Sequence, residues 1–60
     1  MIEDGIYAVT LIDKMFYRVE GNDIRISIDG GEWKEPFMDM TREIIEIMLY
    51  NGDVVKVSDL

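Results

Sequence analysis

The sequence predicts a small α+β fold in which one helix packs on an antiparallel sheet, in the order β-β-β-(β)-α-β. Three observations predict it. Runs rich in β-branched and aromatic residues, separated by turn signals, fill the first half of the chain. From Asp39 the apolar period changes from two to about 3.6 residues. A last β-branched run follows Asn51-Gly52. With 60 residues, the chain has room for a single domain, 1–60.

The first two strands are predicted over residues 6–12 and 15–20, joined by a two-residue turn at Asp13-Lys14. Both faces of the first strand are apolar. It is therefore either central and covered on both faces, or covered once and pressed on a partner. Gly21-Asn22-Asp23 is a strong turn signal that ends the second strand.

The third strand has the cleanest alternation in the chain and is predicted to be half buried. One face carries Ile24, Ile26 and Ile28, and the other carries Arg25, Ser27 and Asp29. Gly30-Gly31 then permits a tight reversal into residues 32–35, which either pair as a strand or run as a loop. A two-residue loop would place Ile28 near Trp33 and Asp29 opposite Glu32.

The helix is predicted from about Asp39, with Asp39 or Thr41 as its N-cap, to about Tyr50. Asn51-Gly52 is a good C-terminal stop, and residues 53–57 form the last strand. The apolar residues cover an arc of roughly 200°, whereas one sheet covers somewhat over about 100°. They are Met40, Ile44, Ile45, Ile47, Met48 and Leu49. Either flanking loops cover the surplus, or a second copy or a partner groove does.

Composition excludes several classes of function. Thirteen acidic residues against six basic ones give a net charge of −7, which disfavours direct binding of nucleic acid or of an anionic membrane. No apolar run is long enough to span a membrane, and no basic leader precedes one, so we expect a cytoplasmic protein. Without histidine or cysteine, a Cys/His zinc site is impossible and acid–base catalysis has few candidates. We expect no enzyme activity, no cofactor and no metal.

Two sets of residues are candidates for binding a larger cytosolic protein with a basic surface. The acidic set combines a helical stripe with carboxylates near the Gly-Gly turn: Asp39, Glu43, Glu46, Asp29, Glu32 and Glu35. The apolar set, for a homodimer or partner interface, is Trp33, Phe37, Met40, Ile45, Ile47 and Leu49. The acids could instead serve solubility alone or hold a divalent cation. The apolar residues could instead be core filling.

Two resemblances bear on function. Residues 27–33, S-I-D-G-G-E-W, resemble the Asp-box hairpin of sialidase-type propellers, S-x-D-x-G-x-x-W, with the tryptophan one residue early. That resemblance implies a hairpin and no glycosidase activity.

In size, acidity and lack of motifs, the whole chain is similar to short phage-encoded inhibitors of host enzymes and bacterial defence systems. This resemblance implies a non-enzymatic protein, often dimeric, that occludes a larger target. One form of such occlusion is mimicry of a nucleic-acid backbone. The alternative is an intracellular accessory or regulatory module whose acidity is only solubilising.

Overall fold

The computed structural model describes all 60 residues and has the predicted α+β architecture. Its elements are β1 (Gly5–Val9), β2 (Met15–Glu20), β3 (Asp23–Ile28), α1 (Arg42–Asn51) and β4 (Val54–Ser58). The strands form one antiparallel sheet in the order β3-β2-β1-β4, and α1 packs on one of its faces. Strand β1 is therefore an inner strand of the sheet.

The core lies between that face and the helix. The pairings of Tyr7 with Tyr17 and of Tyr17 with Ile26 put one side chain from each of three strands on the helix side. The eight buried hydrophobic residues are Ile2, Tyr7, Tyr17, Val19, Ile24, Ile26, Ile45 and Val54. Ile45 is the only residue of α1 among them. Within α1, Ile45 is therefore buried in the core, and Met48 packs against that core while partly buried.

The opposite face of the sheet is covered by no helix, although Ser27 on this face is only 4% exposed and bonds to the turn that follows β3. On β1 it carries Ile6 and Ala8, which are only partly buried. On the edge strand β4 it carries Val55 and Val57, which are 45% and 52% exposed. Strand β1 is thus covered by the helix on one face only, so the predicted alternative of coverage on both faces is wrong.

Strand β1 ends at Val9, earlier than predicted, and the connection to β2 is longer than the two-residue turn expected at Asp13-Lys14. Beyond Val9 the backbone N–H of Thr10 donates to the Asp53 carbonyl at 2.9 Å. The chain then turns away from the sheet, so that Leu11 and Ile12 are 89% and 52% exposed. The apolar run continues past the last residue that the sheet can pair.

The helix begins one residue after Thr41, the second of its two predicted caps. The Thr41 hydroxyl accepts a hydrogen bond from the Ile44 N–H at 3.2 Å, as an N-cap does. Gly52 ends the helix in the left-handed conformation, with φ of 81°. Asp39 lies before the helix, so it does not share a helical stripe with Glu43.

The free edge of β3 is covered at one point by the segment that follows it. Ile26 and Lys34 exchange two backbone hydrogen bonds of 2.8 and 2.9 Å. This pairing places Trp33 opposite Ser27, so the predicted register, with Ile28 near Trp33 and Asp29 opposite Glu32, is wrong by one residue. The reason is the turn: Asp29 and Gly30 both have positive φ, and the Gly31 N–H donates to the Ile28 carbonyl. Residues 32–35 are thus mostly loop, with one bridge.

Candidate partner-binding surfaces

Arg42 fixes the start of the helix against two other parts of the chain. Its guanidinium donates to the Asp4 carboxylate and the Ile2 carbonyl at 2.5 Å, and to the Gly21 carbonyl at 2.6 Å. The hydrogen bond from Arg42 holds the pKa of Asp4 below its usual range. These contacts tie the N-terminal segment and the β2–β3 turn to α1.

An open cleft of about 440 Å³ lies beside this junction, between the start of β3 and residues 35–41. It is lined by Asn22, Asp23, Ile24, Glu35, Pro36, Met38, Asp39, Met40 and Thr41. Carboxylates and apolar side chains therefore share one depression. The protein has no group of three or more acidic side chains placed to hold a metal ion together.

Four of the six predicted acidic residues carry no cation of their own. Glu46 is paired with the amino group of Met1, and Glu35 lies 4.0 Å from the Arg25 guanidinium. The remaining carboxylates, Asp29, Glu32, Asp39 and Glu43, take part in none of the ion pairs. The free acids of the predicted set thus come from one stretch, residues 29–43. The structure does not form the predicted stripe along the helix.

Most acids outside that stretch are neutralised within the molecule. Lys56 binds the carboxylates of Glu3 at 2.8 Å and Asp59 at 2.7 Å, which raises the pKa of the lysine and lowers that of Asp59. Acids elsewhere are paired as Asp4–Arg42, Glu20–Arg18 and Asp23–Arg25. Asp13 and Asp53 are the exceptions, and they lie on other loops. The free carboxylates are therefore concentrated in residues 29–43, which also contain the unpaired Lys34.

The structure buries part of the predicted apolar interface and leaves the rest on the surface. Ile45 is 0% exposed and belongs to the core, so its assignment to an interface is corrected. Met40 is partly buried and packs against that core. The other four are on the surface, with exposures of 41% for Trp33, 76% for Phe37, 59% for Ile47 and 37% for Leu49. The predicted apolar excess on the helix is thus confirmed as exposed surface.

The open face of the sheet extends the predicted alternative of a first strand covered once and pressed on a partner, and of its apolar residues only Trp33 belongs to the predicted interface set. Strand register aligns a row across it that is apolar except for the buried Ser27, in the order Val55, Ala8, Phe16, Ser27 and Trp33. The signal for this face is present in the two apolar faces of the first strand. The row can be traced across the whole sheet only when the register of β4 and the pairing of Lys34 with Ile26 are known.

Hydroxyl groups near these surfaces have structural roles. Ser27 is 4% exposed, and its hydroxyl donates to the Gly31 carbonyl at 2.9 Å, across the turn. Tyr7 donates to the Glu3 carbonyl at 2.7 Å, and burial raises the pKa of this tyrosine. Each hydroxyl is thus used to hold the backbone in place.

The remaining observations concern the whole chain. Its one helix is too short to cross a bilayer. Comparison with protein-family models, curated proteins and solved structures found no match to this chain.

Proposed function

We propose that the chain is a small acidic binding protein that docks on a basic surface of a larger cytosolic protein and occludes it. The observation that carries this proposal is the set of carboxylates at residues 29–43 that lack an internal cation. An acid already paired with its own lysine or arginine has little to offer a partner. An unpaired acid retains its full attraction for one.

The cleft is suited to a lysine or arginine side chain from such a partner. These side chains have an apolar stem and a charged head, and they bury the stem along apolar surface. Met38, Met40 and Ile24 supply apolar lining, while Asp39 supplies a free carboxylate. A guanidinium bound there would gain a charge-assisted hydrogen bond together with apolar contact.

The mode of action that fits a protein of this size is steric. The chain measures 27 × 23 × 22 Å, so it can fill a groove on a larger protein. This is how the phage-type inhibitors and anti-defence proteins that it resembles in class would act. Where the groove binds nucleic acid, the free carboxylates would stand in for phosphates. Action as a homodimer is part of this proposal.

A pull-down from cytosol with matched charge variants tests the proposal. The test variant carries Asp39→Asn and Glu43→Gln, and the control carries Asp13→Asn and Asp53→Asn, which removes the same charge elsewhere. A partner retained by the parent and the control but lost by the test variant would support docking. With the purified partner, the association rate should fall steeply as salt is added, for the parent and control alike.

The second candidate is an accessory or regulatory module whose acidity only keeps it in solution. The observation that favours it is that Asp13 and Asp53 are also unpaired, so free charge is not confined to one surface. In that case both charge variants would bind the partner equally and would differ from the parent only in solubility. Equal binding by the two variants would refute docking through the cleft.

A further inference from the structure

The open face of the sheet presents two rows of side chains with different chemistry. The apolar row, defined above, runs from Val55 to Trp33. A second row, one step along the strands, contains Ile6, Arg18, Arg25 and Glu35. The 4.0 Å approach of Arg25 to Glu35 agrees with this placement, because it puts both side chains on the same face. The face is therefore half apolar and half charged.

The charges on this face nearly cancel, unlike those of the molecule as a whole. Arg18 is paired with Glu20 at 2.9 Å, and Arg25 with Asp23 at 3.1 Å, leaving Glu35 as the one acid in excess. The net charge of −7 therefore resides almost entirely on the helix side and the loops. Two copies that approached through those regions would repel one another. Two copies that approached through the open face would not.

We propose that the open face is the self-association surface of this protein, and that its occupant is a second copy of the chain packed sheet on sheet. This deepens the homodimer part of the proposed function and rests on it. A basic partner would be drawn to the free carboxylates around the cleft, whereas nothing on the nearly neutral face attracts it. Apolar rows from two copies would exclude water from each other at the sheet separation of about 10 Å.

The area of the open face limits how tightly two copies can associate through it. Four strands about 4.8 Å apart and about 17 Å long give the face roughly 330 Å² per copy. That is about two-fifths of the roughly 800 Å² that each partner buries in a standard interface. The accessible surface of the chain, 4145 Å², is already close to the roughly 4,000 Å² expected for a folded monomer of its mass. We therefore expect folded monomers that associate reversibly.

Sedimentation equilibrium over a range of about 10 to about 500 µM tests the surface, because association is governed by concentration. The test variant is Val55→Lys. The comparison variant is Ile47→Lys, which places the same charge on the helix surface that the sequence offered as the alternative homodimer interface. Val55→Thr keeps the side-chain shape, and far-UV circular dichroism checks that each variant is folded. If Val55→Lys does not fold, the parent is diluted instead and its NMR chemical shifts are followed. The shifts of Ala8 and Val57, on the open face, are then compared with those of Ile47, on the helix.

The expected result is a parent dimer that Val55→Lys weakens about tenfold or more, with Ile47→Lys unchanged. Dilution shifts confined to Ala8 and Val57 would give the same support. Weakening by Ile47→Lys, alone or equally with Val55→Lys, would overturn the assignment and leave a dimer formed elsewhere. A parent that stays monomeric throughout would overturn both this inference and the homodimer part of the proposed function. Docking through the carboxylates would still be decided separately, by the Asp39/Glu43 variant.

Discussion

Replacing Ile45 by alanine should remove most of the stability of this domain. Ile45 is the only fully buried residue of α1, with an exposed fraction of 0%. Truncation of a buried isoleucine to alanine costs about 2–5 kcal/mol, from lost burial and from the cavity that remains. The free energy of unfolding of a 60-residue domain is about 3–9 kcal/mol. At the middle of these ranges the variant keeps about 2.5 kcal/mol, so its urea midpoint should fall by about half or more.

The matched control for that change is Ile47→Ala, two residues along the same helix. Ile47 is 59% exposed, so its truncation should alter the free energy of unfolding by about 0.5 kcal/mol or less. Urea titration of dilute protein, followed by circular dichroism and by the fluorescence of Trp33, measures both variants. Equal losses in the two variants would refute the reasoning, because they would mean that the helix docks through a different face.

Three further predictions concern single positions. A Cβ atom on Gly5 would lie 2.6 Å from the Ser58 carbonyl oxygen, so Gly5→Ala should force β1 and β4 apart and lower the melting temperature by several degrees. Thr41→Ala removes the N-cap hydroxyl and should cost about 1 kcal/mol in urea titration. The lowered pKa of Asp4, caused mainly by Arg42, stabilises the fold above pH about 3.9, and this contribution should be lost as pH falls through the folded-state pKa.

Three further variants serve as controls for these predictions. Gly21→Asn, at a turn glycine where a Cβ atom would meet nothing within 4 Å, should leave the melting temperature nearly unchanged. Thr41→Ser should restore the cap, and Asp4→Asn should flatten the acid limb of the stability curve. A Gly5→Ala protein as stable as the parent, or an acid limb as steep in Asp4→Asn as in the parent, would contradict the corresponding prediction.

The elements that could be predicted from the sequence are those whose signals are local. Thr41 and Gly52 mark the ends of the helix through caps that need only the adjacent backbone. The alternation of Ile24 with Arg25 similarly identifies β3 and its buried face. Such signals do not depend on how distant parts of the chain meet, and the structure confirms them.

The errors arose where tertiary contacts decide. The apolar arc of the helix contains several equivalent residues, and only docking on the sheet selects Ile45 for the core. The register at Gly30-Gly31 depends on two consecutive left-handed residues, and one of them, Asp29, is not a glycine. Whether Glu46 is free depends on where the N-terminal segment lies. None of these facts is encoded in a short window of sequence.

The pairing of β1 with β4 has a consequence for how the protein is made. During synthesis, β1 leaves the ribosome early, but its neighbour on one side, Val54–Ser58, is translated last of the strands. At about 5–20 residues per second, the nascent β1 waits seconds for that neighbour. Meanwhile β2 and β3 can form a hairpin across their short turn. Completion of the sheet therefore waits for β4, and until then the edge of β1 that pairs with β4 stays unpaired.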